Sequence, residues 1–228
     1  IAEMARDPVL TFTDRGIYCP GGDFHIDPWR PVARALITHG HSDHARPGHG
    51  QYLATDQAGP VIRQRLGGIA LSGIGFGETR RIGDVTVSFH PAGHVPGSAQ
   101  IRVERAGEVW VVSGDYKVDP DGLTEPFEPV ACHAFISECT FGLPVFRWEP
   151  NAAVMDRINR WWAANRAAGQ VSILGAYALG KAQRILAGVD AGIGPILTHG
   201  AIETPTALLR AQGYRLPDTV PVRPGIDA

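Results

Sequence analysis

The chain changes its pattern once, and that change limits the folds open to it. Up to about residue 140, short strand-like runs are separated by turns rich in glycine and proline: VLTFT (9–13), GIYC (16–19), ARALIT (33–38), VTVSFH (85–90), QIRVER (100–105), EVWVVSG (108–114) and HAFIS (133–137). In QIRVERAGEVWVVSG, Ala106-Gly107 between two such runs predicts a hairpin. Residues 43–66 have room for one or two short helices, interrupted at Pro47 and Pro60. After residue 150 a helical period takes over. Asn151 can cap a helix in which Val154, Ile158, Trp161, Ala164 and Ala168 recur at helical spacing. VSILGAY (171–177) then reads as a strand, GKAQRILAGV as a helix, GPILTHG as a strand and ETPTALLRAQG as a helix. Strands alternating with helices predict a parallel sheet covered on both faces. The class is α/β, with a boundary near residue 148 between a strand-rich unit (1–148) and a small α/β unit (149–228).

Composition removes several functional classes. A chain of 228 residues that is 44% hydrophobic can bury one sizeable core, which argues against disorder. A formal charge of −2 gives no global basic footprint, so any nucleic-acid contact must come from a local patch. The three cysteines, Cys19, Cys132 and Cys139, show no C-x-x-C spacing, which argues against a disulfide framework and a cysteine zinc site and fits a reducing cytoplasm. No apolar run approaches the ~20 residues of a membrane span, and no charged start leads into an apolar leader.

The segment ITHGHSDHARPGHG (37–50) concentrates the chemistry. It follows an apolar run that reads as a buried strand, and loops beyond strand ends are where scaffolds hold reactive groups. In extended chain residues i and i+2 face the same way, so His39 and His41 project together, with Gly40 leaving room for close approach. Ser42 is expected to cap a short helix whose first turn presents Asp43 and His44. The set H-x-H-x-D-H offers three nitrogens and one hard oxygen, a mixture that suits zinc, or manganese if carboxylates dominate. It holds more ligands than one open catalytic metal needs, which points to two metals. His94 in FHPAGHVPGSAQ and Asp115 in VVSGDYK also follow strands and are candidate ligands; Asp27 in FHIDPW is a candidate to orient a ligand or the attacking water. His25, His49, His90 and His133 are given no ligand role.

THGHSDHA, PAGHVPGSAQ and VVSGDYK, in that order, resemble the metallo-β-lactamase superfamily. That resemblance implies an αββα sandwich in which Asp27 stands in the first motif, His39, His41, Asp43 and His44 in the second, His94 in the third, and Asp115, in the fourth, bridges two metals. FISECTFGLP (135–144) resembles the acidic motif that opens the β-CASP branch, the nucleases related to Artemis and to the pre-mRNA cleavage endonuclease, with Glu138 in the acidic position. GAYALGKAQRIL (175–186) resembles the Y-x-x-G-K element of the cap domain inserted in that branch. Residues 22–55, with YALGKAQRIL and GPILTHGAIE, look like the bacterial ligase-associated DNA exonucleases.

The resemblance implies a catalytic apparatus and its company. One divalent metal, zinc or manganese, falls to His39, His41 and His94, and a second to Asp43 and His44, with Asp115 between them. A water activated by the metals attacks phosphorus, and Glu138 orients a general acid; Lys181, at a helix start after Gly180, is read either as holding a backbone phosphate or as a solvated lysine in an ordinary strand-to-helix turn. The implied substrate is DNA, single-stranded or with a free end, and the implied partners are an ATP-dependent DNA ligase and a helicase. In the family a return segment brings a late histidine to the second metal; the sequence in hand runs to RPGIDA before such a residue, and His199 in LTHGAIE is not assigned that role. RNA processing, small-molecule hydrolysis at the same metals, and a non-catalytic metal-binding module stand as alternatives.

Overall fold

The structure, a computed structural model, describes residues 8–223. The chain is mixed α/β. Strands β1 (Thr11–Thr13), β2 (Gly16–Cys19), β3 (Phe24–Ile26), β4 (Arg34–Leu36), β5 (Gln51–Thr55) and β6 (Leu71–Ile74) form one sheet in sequence order. It is antiparallel from β1 to β3 and parallel from β3 to β6. Parallel neighbours need a crossover, and helix α1 (Gly59–Leu66) supplies the one between β5 and β6.

A second sheet of five strands holds β7 (Thr79–Ile82), β8 (Val85–Pro91), β9 (Ala99–Arg105), β10 (Glu108–Val112) and β11 (Ala134–Ile136). It is an antiparallel meander except at its edge, where β11 lies parallel to β10. The β9–β10 hairpin pairs Arg105 with Glu108 across Ala106 and Gly107, whose φ values of 50° and 84° are those of a tight two-residue turn.

The two sheets pack face to face. Phe24, Ile26 and Leu36 of the first share one buried cluster with Val87, Phe89 and Ile101 of the second, and each such side chain contributes about 1.5–3 kcal/mol on leaving water. The opposite face of the first sheet is covered as well, with Ala35, Tyr52 and Ala54 meeting Ala58 and Ile62 at and in α1. Burial on both faces is why β4 and β5, after their first residues Arg34 and Gln51, are buried without alternation.

Helices α2 (Asn151–Ala167), α3 (Lys181–Gly188) and α4 (Gly200–Ala211) form where the helical period places them. Five readings are corrected. Strands β3, β5, β6 and β7 were not anticipated, because runs of three to five residues are too short to establish a period. Pro60 lies in the first turn of α1, where no backbone N–H is needed, so it starts the helix instead of interrupting one. Asn151 does not cap α2; Pro150 holds that position, and the Asn151 side chain donates to the Asp121 carbonyl at 3.2 Å and accepts from Arg184 Nε at 2.7 Å. VSILGAY forms no strand: among the described residues it has no ladder partner, and Ile173 is 85% exposed. The expected parallel sheet of this part is, among the described residues, a two-residue pairing of β12 (Leu197–Thr198) with β13 (Val220–Pro221). No described helix is long and apolar enough to cross a membrane.

Candidate metal centre

The site is built where strand ends of both sheets meet. β4 leads through buried Ile37 and Thr38 into fully buried His39. β3 lies parallel to β4, so Asp27, one residue past its end, stands beside Thr38 and accepts from its backbone N–H at 2.8 Å. His94 comes from the turn between β8 and β9, where its N–H donates to Ser98 Oγ at 3.0 Å. Asp115 follows β10 through Gly114, whose φ of +53° and missing side chain are both required, because a Cβ there would sit 2.6 Å from Thr38 Cβ. Ser42 caps no helix; residues 42–44 form a single turn closed by Ala45 N–H donating to the His41 carbonyl at 2.8 Å.

Hydrogen bonds at the back of each ring decide what the front of the ring can do. Thr38 Oγ1 lies 2.5 Å from Asp27 Oδ2 and gives it the hydroxyl proton, so toward His39 Nδ1, 3.1 Å away, it can only accept. That leaves His39 Nε2 as a lone pair. His41 Nε2 faces the Leu179 carbonyl at 3.2 Å and must carry the proton, which leaves its Nδ1 as a lone pair too. These two nitrogens stand 3.0 Å apart, and His94 Nε2 is 3.2 Å from His41 Nδ1 and 3.3 Å from Asp115 Oδ2. Electron pairs aimed at one another at such distances repel unless a cation lies among them. His39, His41, His94 and Asp115 are therefore a donor set fitted to a divalent metal, with the nitrogen-rich composition that suits zinc.

A second group, His44, Asp115 and Glu138, adjoins the first and shares Asp115. His44 donates Nδ1–H to Asp27 Oδ2 at 2.8 Å and directs Nε2 toward Asp115 Oδ1 at 3.7 Å and Asp43 Oδ2 at 3.8 Å. One carboxylate of Asp115 thus faces both groups with different oxygens. Burial, aided by the neighbouring rings, holds His39 well below its usual range, and burial lowers His94 to about 4 although Asp115 opposes it. Burial pulls His44 the same way, but the hydrogen bond and charge of Asp27, with Asp115 and Asp43, overcome it and raise the ring to about 9. The surroundings keep His39 and His94 as neutral ligands and hold the ring of His44 in one orientation.

Replacing Asp27 by Asn keeps an oxygen for the Thr38 amide but removes the charge that holds His44 and the Thr38 hydroxyl. Metal affinity is expected to fall roughly 10- to 100-fold with the unfolding midpoint little changed, as read by competition with a chromophoric chelator. Unchanged affinity would remove Asp27 from this role.

The chain is 29% identical over 205 residues to a probable DNA ligase of Opitutus terrae, a match that covers 89% of this chain and 20% of that protein. It is 33% identical over 122 residues to an endoribonuclease of Aspergillus fumigatus, covering 51% of this chain and 14% of that protein. It is 30% identical over 149 residues to a ribonuclease of Thermus thermophilus, covering 52% and 34%. These relatives agree with the resemblance to the metallo-β-lactamase superfamily and its β-CASP branch that the motif residues carry. No family model matches it. The fold is shared with a protein of unknown function from Enterococcus faecalis, at a TM-score of 0.54 and 12% identity over 80% of this chain and 50% of that one. The chain spans 34% or less of the length of these three curated relatives.

Among the residues that the β-CASP motifs single out, His39, His41, His44, His94, Asp115 and Glu138 converge on the two groups, and Asp27 lies behind them. Asp43 stands at their rim with its side chain 69% exposed. Lys181 is exposed at the start of α3, its ammonium 5.1 Å from the centre of the Tyr177 ring. His199 caps α4 by accepting from Ala201 N–H at 3.1 Å. His25, His49, His90 and His133 bond to Thr13, Val32, Glu128 and Val109, away from the two groups. Three participants escaped the sequence reading: Thr38, which sets the His39 tautomer; the Leu179 carbonyl, which sets that of His41; and Arg65, which reaches from α1 to the Gly40 carbonyl at 2.6 Å and lines the cavity over the site. Thr38 was open to discovery as the residue beside His39, whereas a backbone carbonyl 138 residues away has no sequence signature.

Proposed function

We propose that this chain carries the active centre of a metal-dependent phosphodiesterase acting on polynucleotides, with DNA as its substrate, working as an exonuclease in repair beside an ATP-dependent ligase and a helicase. The observation that carries the reading is the pair of donor groups sharing Asp115 beneath an open cavity of about 1060 Å³. The cavity's lining sets the carboxylates of Asp27, Asp43, Asp115 and Glu138 against Arg65 and the raised His44, an acidic excess that repels a polyanion until divalent cations are held there. We assign residues 1–148 to the family's αββα sandwich and 149–228 to its cap.

His39, His41 and His94 would hold one ion, His44 and Asp43 another, and Asp115 would face both. Bound there, the ions supply Lewis acidity and neutralise charge that gathers on the phosphoryl oxygens. The chain's own residues do the rest. Asp27 and Thr38 fix the rings of His44 and His39, so that little reorganisation is left for the reaction itself. Glu138, beside His44 and Asp115 and open to the cavity, is placed to orient the group that protonates the leaving oxygen. Arg65, also in the cavity lining, offers a phosphate the guanidinium N–H groups that its bond to the Gly40 carbonyl leaves over.

The DNA reading rests on the ligase-named relative, which aligns over 89% of the chain. A second reading, cleavage of RNA, is favoured by the two ribonuclease relatives, at 33% and 30% identity. Matched DNA and RNA oligonucleotides, each with and without a 5′-phosphate, separate them: shortening of DNA from an end with RNA left intact is expected, and the reverse preference would overturn the DNA assignment.

A further inference from the structure

Tyr177 is held in place yet left in water. Its ring is 76% exposed, although its carbonyl accepts from Ala182 N–H at 3.1 Å and the Ala178 carbonyl accepts from Gln183 Nε2 at 2.9 Å. Gln183 is fully buried and also accepts from Gly180 N–H at 2.8 Å, and two residues past Tyr177 the Leu179 carbonyl is bonded to the metal-ligating His41. The backbone that carries the ring is thus tied to the metal centre itself. A ring left in solvent gains nothing from the hydrophobic effect, so its fixed place needs another account.

Its surroundings supply one. The ring lines the cavity that holds His41, His44 and Asp115, and the Lys181 ammonium lies 5.1 Å from its centre. A free aromatic face next to a cation is the arrangement that grips single-stranded nucleic acid, the base stacking on the ring and the ammonium meeting a phosphate. Phe12 and Trp29 also line the cavity with exposed rings, but it is Tyr177 that has a lysine ammonium over its ring.

We propose that Tyr177 and Lys181 form a base-stacking platform that seats one nucleotide of a single-stranded polynucleotide beside the metal centre. The inference rests on the nuclease reading above and adds the physical form of its substrate: unpaired strands are favoured, because base faces in a duplex are covered by their neighbours. A surface role for the pair predicts no dependence on bases at all.

Binding is measured by fluorescence anisotropy in the full-length protein carrying Asp43→Ala, so that strands survive. The probes are labelled oligothymidylate, oligouridylate, the thymidylate paired with its complement, and a base-free deoxyribose-phosphate strand. Tyr177→Ala is expected to weaken binding of base-bearing single strands about 5- to 150-fold, and of the base-free strand and the duplex far less. Tyr177→Phe restores the affinity, and Lys181→Ala lowers the salt dependence. The thymidylate and uridylate arms show whether the platform serves DNA, RNA or both. Equal binding of single strands by Tyr177→Ala, or an equal loss on the base-free strand, overturns the platform and leaves the nuclease reading standing. A wild-type protein that neither binds nor cleaves any of these strands overturns both.

Discussion

His39→Ala and Asp43→Ala are each expected to lower polynucleotide hydrolysis by about 10³-fold or more, since loss of several kcal/mol of Lewis-acid stabilisation costs a decade of rate per 1.36 kcal/mol. The two variants reach that result by different physical routes, and the difference makes the pair informative. His39 is fully buried and bonded to Thr38, so its removal leaves a cavity behind as well as an incomplete donor set, while the Thr38 hydroxyl keeps its bond to Asp27. Asp43 has a side chain 69% exposed, and its removal costs about 0.5 kcal/mol of stability or less. A folded, inactive Asp43→Ala protein therefore cannot be explained by unfolding. Metal content by mass spectrometry should fall in both, from about two ions per chain toward one. Full nuclease rates with either variant would sink the assignment of the centre.

The centre was legible in the sequence for a simple reason: period-2 geometry past a buried strand puts alternate histidines on one side, and His39 Nε2 and His41 Nδ1 do stand 3.0 Å apart. His94 and Asp115 were reachable because both follow recognisable strands, β8 and β10. Depth was harder to read. Spacing cannot tell that Asp43 lies at the rim while Glu138, ninety-five positions later by the numbering, joins His44 and Asp115. The tautomers of His39 and His41 were illegible, because they depend on a hydroxyl proton and a backbone carbonyl. In the fold, strong helical periods placed α2, α3 and α4, whereas β5, buried over four of its five residues, offered no alternation to read. VSILGAY shows the limit of propensity: β-branched residues favour a strand, yet a strand exists only where a neighbour accepts its hydrogen bonds.

Asp121→Ala is expected to destabilise the chain by about 3 kcal/mol at neutral pH, because it strips the half-buried Lys117 of its partner and leaves buried donors at Leu123 and Thr124 without an acceptor. The Asp121 side chain is 1% exposed, and one oxygen accepts from Leu123 N–H at 3.0 Å, Thr124 N–H at 2.9 Å and the Thr124 hydroxyl at 3.0 Å. The other pairs with Lys117, while the Asp121 carbonyl takes the side chain of Asn151, which in turn accepts from Arg184. The knot joins the loop after β10, which carries Asp115, to the starts of α2 and α3. Burial alone would raise the Asp121 acid, but the Lys117 hydrogen bond and the two amides outweigh it and hold the acid below its usual value. A depressed folded value contributes stability that is complete above the unfolded pKa of about 3.9 and is lost as pH falls through the folded value. Denaturant melts should therefore show the full gap between wild type and Asp121→Asn at pH 7, narrowing only in strong acid as the wild-type carboxylate takes up its proton. A gap that is the same at pH 7 and pH 2 would mean that the Asp121 charge does not contribute to it, since only the charge titrates over that range.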